Sequence, residues 1–300
     1  MSEEISEQGK SSISVHTENQ IATITITHGE LNLLDIGLVG ELFSALTKLQ
    51  QDDHVKVIVF QSGIDGFFLS HADFSGLEQT DLQQHYKKGE FPRYSQFLEL
   101  LRKYPKVTIA KVAGRATGGG AEFAFALDMC FADEDLATFS QMEIILGILP
   151  GGGGNQYLAR RTGRSRALEM CLTGRAYSAT EAERYGAINR ALPSGELDEY
   201  INRLTGLIVS HSHHSIERNK AAINLIEDRM SQDFVDNNDM FVDLAHDPEF
   251  RRRVRTFMSL GGGTAQGEES DWSYWAHTLA SDHEGLSRQR PDQAHTRSGE

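Results

Sequence analysis

Cysteine, tryptophan and positive charge are all scarce in this chain. Its two cysteines, Cys130 in DMCFA and Cys171 in EMCLTG, make no disulfide framework and match no metal-ligand spacing. Each lies in an apolar run, where a thiol behaves as a small hydrophobe. Lys and Arg number 29 against 43 Asp and Glu, a net charge of −14. That balance argues against a general nucleic-acid binder or a protein of anionic membranes. It leaves room for an anionic ligand held by a local basic patch. No apolar run approaches the roughly 18 residues of a membrane-spanning helix. The opening MSEEISEQGK has neither the apolar stretch nor the Arg-rich pattern of a targeting leader. The chain shows no repeat of fixed period. These absences predict a globular cytoplasmic enzyme with no nucleic-acid and no membrane partner.

What is present is patterned. Residues 1–12 read as disordered. Ser14–Val15 and Ile21–Ile26 alternate apolar and polar residues around TENQ, which predicts a hairpin. Leu38, Leu42, Leu46 and Leu49 are spaced as one face of a helix. VKVIVF (55–60) and VTIAKVAG (107–114) are near-continuous apolar runs, the mark of strands buried on both faces. Residues 79–92 are polar and predict a mobile segment, followed by a helix over 94–101. Downstream come a short strand at 129–132 and helices near 155–161, 164–172, 179–185 and 196–210. Strands alternating with helices imply an α/β fold with mainly parallel strands. From 213 to about 258 the pattern is helical only. The glycine run at 261–263 and the polar residues after it predict a flexible tail over 261–300, dispensable for folding.

Two glycine-rich turns carry the chemistry. GGGAEFAFALDMC (118–130) places Glu122 between a glycine turn and an apolar helix. FSQMEIILGILPGGGG (139–154) places Glu143 among apolar residues before a second such turn. Neither turn has the lysine of a phosphate-binding GxxxxGK[ST] loop, and GxGxxG is not matched in a dinucleotide-binding context. Glycine at a helix N-terminus exposes backbone N–H groups that can hold an oxyanion formed during reaction. Two acids in apolar settings imply paired carboxylates facing one pocket. Burial and repulsion should push one pKa up and leave the other low, separating acid from base.

The stretch from KVTIAKVAGRATGGGAEF through LTGRAYSATEAERYGAINRALP resembles the crotonase superfamily, the enoyl-CoA hydratase/isomerase family, over roughly residues 13–230. The resemblance implies a spiral of stacked ββα turns spanning 13–212. A helical C-terminal region, 213–260, would serve trimerisation, giving homotrimers or dimers of trimers. It also implies an oxyanion hole made by the N–H groups of Gly119 and Ala72, the latter in FLSHAD, with Gly118 and Asp73 as neighbouring contacts. His71 stands where the family has glycine. It is a possible ligand contact, weighed against a solvent-facing imidazole. Glu122 and Glu143 match the two glutamates of relatives that add or remove water, with Glu143 as base and Glu122 as acid.

On this reading the substrate is an acyl-CoA thioester, coenzyme A belongs to the substrate, and no separate cofactor or metal is needed. The expected reaction is hydration of a 2-enoyl-CoA or dehydration of a 3-hydroxyacyl-CoA. The alternatives are a crotonase-type isomerase, decarboxylase or thioester hydrolase, including one acting on a carrier-protein-bound chain, and a non-catalytic or RNA-associated scaffold. HSHH (211–214) lacks carboxylate or cysteine partners at ligand spacing. It precedes a helix for which Ser215 is a plausible N-cap. The basic islands ARRTGRSR (159–166) and FRRRVR (250–255) read as solvated helix faces, with contact to CoA phosphates, particularly across a subunit boundary, as the alternative. DWSYWAHTLA (271–280) could dock on a neighbouring subunit or on its own core.

Overall fold

Between residues 57 and 140 successive strands alternate between two sheets, and this alternation places the candidate residues. The computed structural model describes residues 11–75, 87–225, 230–268 and 272–281. Of the segments 1–12 and 79–92, for which the sequence predicts disorder and mobility, 1–10 and 79–86 lie outside those residues. The larger sheet runs β1 (Ile13–Glu18), β2 (Ile21–Ile26), β3 (Val57–Ser62), β5 (Val107–Val112), β7 (Met129–Asp133) and β10 (Arg190–Leu192). The smaller runs β4 (Gly66–Leu69), β6 (Gly114–Thr117), β8 (Thr138–Ser140) and β9 (Tyr177–Ser178). β1 and β2 form the predicted antiparallel hairpin. β2, β3, β5, β7 and β10 are parallel neighbours.

The apolar run 107–114 is not one strand. β5 pairs with β3 and β7, whereas β6, beginning at Gly114, pairs with β4 and β8 in the other sheet. From β3 to β8 each cycle of the chain thus lays one strand in each sheet before the next helix, as a ββα spiral requires. The helices α1 (Ile36–Gln50), α2 (Arg93–Lys103) and α3 (Gly119–Ala126) fill the returns. Asp35 caps α1 by accepting from Leu38 N–H at 2.7 Å. A short 3-10 helix (Met142–Leu146) follows β8, then α4 (Gly154–Thr162), α5 (Arg164–Thr173), α6 (Ala179–Tyr185) and α7 (Leu197–Val209).

The remainder is helical: α8 (His213–Asn224), α9 (Met230–Ala245), α10 (Pro248–Ser259), α11 (Ala265–Glu268) and α12 (Trp272–Ser281). Ser212, not Ser215, caps α8, accepting from Ser215 N–H at 3.1 Å. Of the flexible tail predicted over 261–300, residues 261–268 and 272–281 are described and carry the helices α11 and α12, and the remainder lies outside the described residues. Trp272 and Trp275 are 3% and 0% exposed, and Trp275 packs edge-on against Phe257 at 4.7 Å. Overall polarity conceals the reason. Trp272, Trp275, Ala276 and Leu279 recur at the spacing of one helical face, which the second apolar cluster receives. That cluster joins α10 and α12 to Phe74, Met142, Ile145 and Leu146.

Emptying the Trp275 site should therefore be costly. Trp275→Ala is expected to lower unfolding free energy by about 3–5 kcal/mol, the range for large-to-small substitution of a buried aromatic. Chemical denaturation checks this, and a loss below about 1 kcal/mol would show that α12 is not part of the core.

Candidate active site

Gly118 is the point at which three segments meet. It precedes α3 with φ +52° and ψ −124°, a backbone state that side chains disfavour. A Cβ there would lie 3.0 Å from His71 Cβ and 3.2 Å from Glu143 Oε1. Glycine lets the loop after β4, the turn before α3 and the 3-10 helix after β8 approach this closely. Gly118 N–H donates to Ser140 O at 2.8 Å, tying the turn to β8, and its own carbonyl accepts from Glu122 N–H at 3.0 Å.

Glu122 is the fourth residue of α3 and is 2% exposed. Its carboxyl is held by the second glycine turn. Gly152 N–H lies 2.9 and 3.0 Å from the two oxygens, and Gly154 N–H lies 2.8 Å from Oε1. A Cβ on Gly152 would sit 2.5 Å from Glu122 Oε2, so only glycine admits the carboxyl so close. Glu143, 7% exposed, rides on the 3-10 helix, where Met142, Ile145 and Leu146 anchor into the second apolar cluster. Its Oε2 has no hydrogen-bond partner among the described residues.

These surroundings set the two acids apart. Burial raises the Glu122 pKa to about 7, and the amides of Gly154, Gly152 and Gly153 restrain the rise by stabilising the carboxylate. Burial raises Glu143 well above its ordinary value, and the Glu122 charge raises it further. Sequence reasoning predicts one acid raised and one low. In the structure both are raised, because desolvation outweighs three amide dipoles even at Glu122. As a carboxylate Glu122 is the better stabilised of the pair, and Glu143 retains its proton more strongly.

The two expected oxyanion donors are fixed through their own peptide planes. Leu34 and Ala72 form a parallel bridge in which Leu34 N–H donates to His71 O at 3.0 Å and Asp73 N–H donates to Leu34 O at 2.8 Å. In such a bridge the residue between the two bonded neighbours turns its own N–H away from the partner strand. Ala72 N–H is that group. Gly119 N–H belongs to the first turn of α3, where helix geometry provides no internal acceptor. The carbonyl of its peptide, Gly118 O, also accepts from Gln141 Nε2 at 3.4 Å.

Other candidates fall into different places. Asp73 is partly exposed, and its Oδ1 accepts from Ser75 N–H at 2.8 Å. His71 is 2% exposed rather than solvent-facing, because its ring is stacked on Phe74 at 4.9 Å. Among the described residues no group of three or more His, Cys, Asp or Glu could hold a metal ion. No helix among them is long and apolar enough to cross a membrane. In the basic islands, Arg160 pairs with Asp233 at 2.8 Å and Arg253 with Glu249 at 2.8 Å. Sequence reasoning overlooks Tyr94, which reads as one more helix residue. Its hydroxyl donates to Gly119 O at 2.7 Å, and its ring would contact a Cβ on Gly152 at 2.8 Å. Nothing in the local pattern of α2 announces that contact, which depends on how α2 docks on α3.

The enoyl-CoA hydratase/isomerase family profile matches residues 16–260. The probable mitochondrial enoyl-CoA hydratase of Dictyostelium discoideum is 34% identical over 208 residues, covering 69% of this chain and 73% of the relative. A probable enoyl-CoA hydratase of Mycobacterium tuberculosis is 33% identical over 213 residues, covering 71% and 80% respectively. A crystal structure of a Streptomyces avermitilis protein carrying the enoyl-CoA hydratase name superposes with a TM-score of 0.83 at 37% identity. It covers 91% of this chain and 99% of that one. With that profile spanning most of its length and these relatives beside it, the chain belongs to the enoyl-CoA hydratase/isomerase family and is an enoyl-CoA hydratase-like enzyme.

Proposed function

We propose that the protein adds water across the double bond of a 2-enoyl-CoA thioester, or removes it from a 3-hydroxyacyl-CoA. The observation that carries this reading is the unequal pair of buried carboxyls, Glu122 held by amides and Glu143 with an oxygen that has no partner among the described residues. A crotonase-type isomerase needs one proton carrier beside the oxyanion hole, whereas adding water needs one group to take a proton and one to give it. A groove lined by His28, Leu31, Leu33 and Asp73 adjoins the Ala72 loop and offers room for the non-reacting part of the thioester.

The chemistry follows from the charges. The thioester carbonyl oxygen accepts from Ala72 and Gly119 N–H, which favour the enolate as negative charge develops there. Glu122, as carboxylate, takes a proton from the water whose oxygen bonds to the β-carbon. Glu143, protonated, delivers its proton to the α-carbon as the enolate collapses. This ordering reverses the roles implied by resemblance. Its support is electrostatic: amide donors stabilise the ionised form of Glu122, and burial beside that charge keeps Glu143 neutral.

Glu122→Gln and Glu143→Gln are each expected to reduce hydration of crotonyl-CoA at least about a hundredfold, with little change in affinity. The double variant should be little worse than either, since both groups serve one water. Near-normal turnover in either single variant would move the chemistry to another crotonase-type reaction.

The raised pKa values also predict a pH-dependent stability. Both carboxyls bind protons more tightly folded than unfolded. Their burden on stability is therefore absent below the ordinary value of 4.5 and grows as the pH rises toward 7. Glu143→Gln should raise Tm at about pH 8 and leave it nearly unchanged at about pH 4.5. An equal shift at both pH values would mean that the substitution acts through packing.

We also propose that the protein works as a homotrimer or a dimer of trimers. Helix α8 buries no residue in the single chain, and Leu172 and Ile223 are 62% and 67% exposed. Light scattering at micromolar concentration should give at least three subunits, and a monomer would exclude this assembly.

A further inference from the structure

His71 occupies a position at which a side chain must be accommodated between the oxyanion loop and the rest of the protein. Its backbone carbonyl, bonded to Leu34 N–H at 3.0 Å, belongs to the same peptide as the Ala72 N–H. Its Nδ1 lies 2.8 Å from Ala72 O, so the ring also engages the peptide that follows. The ring leaves the loop and enters a receptacle of aromatic side chains. Phe74 stacks on it at 4.9 Å and 13°. Phe257 of α10 and Trp272 of α12 meet it edge-on at 5.9 and 6.4 Å. Phe257 and Trp272 in turn stack on each other at 6.3 Å.

We propose that His71 is a positioning residue through which the C-terminal helices α10 and α12 fix the direction of the Ala72 N–H. The physical case has two parts. The Leu34 bridge holds the 71–72 peptide only through His71 O and the 72–73 peptide only through Asp73 N–H, which leaves each peptide rotation about its single bond. The imidazole closes that freedom: its plane is set by Phe74, Phe257 and Trp272, and its Nδ1 contact ties the 72–73 peptide to that plane. Aromatic packing is directional, since edge-on and offset-stacked contacts are favoured over others. Moving Trp272 therefore rotates the ring, and the ring carries the loop. The same apolar cluster holds Met142, Ile145 and Leu146, so the C-terminal helices brace the Glu143 segment as well, but independently of His71.

This inference rests on the Ala72 N–H being an oxyanion donor, as proposed above. The test is a double-mutant cycle on the full chain with His71→Gly and Trp272→Leu, each variant first shown to melt cooperatively. Two quantities are measured: steady-state hydration of crotonyl-CoA, and the near-ultraviolet absorbance of the enolate of bound acetoacetyl-CoA, which reports the oxyanion donors without turnover. Each single variant should lose about tenfold in kcat with KM changed less than about twofold, a fraction of the 10²- to 10³-fold that deleting a donor costs. The enolate signal should fall in parallel. The double variant should also lose about tenfold, because both substitutions release one connection.

Independent losses that multiply to about a hundredfold would overturn the proposal. So would a Trp272→Leu variant with unchanged kcat and enolate signal. If Trp272→Leu does not melt cooperatively, Phe257→Leu replaces it in the same cycle. A wild-type protein that binds acetoacetyl-CoA as enolate yet does not hydrate crotonyl-CoA would end the hydration reading alone, and the enolate arm would then decide this one. No enolate in the wild type would remove the donor pair and this inference with it.

Discussion

Two carboxyl groups buried in one apolar interior are the constraint around which this molecule is arranged. An isolated buried carboxylate is expensive, and two near each other cannot both ionise cheaply. The chain meets the cost unequally. Glu122 is received by the amides of Gly152 and Gly154, whereas Glu143 has an oxygen without a partner among the described residues and a pKa raised well above its ordinary value. Removing a partner from a buried charge is destabilising by several kcal/mol, so this arrangement persists because the backbone around it is rigid.

That rigidity comes from glycine used for close approach. A side chain at Gly118 would press on His71 and Glu143, and one at Gly152 would press on Glu122 and Tyr94. Both turns sit where the chain leaves a strand of the smaller sheet or enters a helix. The parallel pairing of β4, β6 and β8 brings the Ala72 loop, the Gly118 turn and the Glu143 helix to the same end of that sheet. Loops at one end of a parallel arrangement converge by geometry, and here they converge on the candidate site.

The second apolar cluster extends this logic to the C-terminus. It packs α10 and α12 against the helix that carries Glu143 and against Phe74 and His71 beside the Ala72 loop. Arg253 adds a polar link, its Nη1 donating to Ile145 O at 2.9 Å. The C-terminal helices are thus part of the wall of the site.

Local pattern by itself determined the hairpin, α1, the central strands and the two glycine turns with their acids, because periodicity and glycine runs are properties of neighbouring residues. Family resemblance added the expectation that the N–H groups of Ala72 and Gly119 act together. Several features depended on residues distant in sequence. The split of 107–114 between two sheets follows from which strands lie beside each half. Polar composition concealed the docking of Trp272 and Trp275, whose apolar spacing gains meaning only when a receiving cluster exists. The burial of His71 needed Phe74, Phe257 and Trp272 to meet around it. The order of acidity also required coordinates, since Glu122 and Glu143 look alike in sequence. Sequence determined that two acids would stand beside two glycine turns. Tertiary structure decided which acid the amides would hold, because a pKa is set by every group that surrounds the proton.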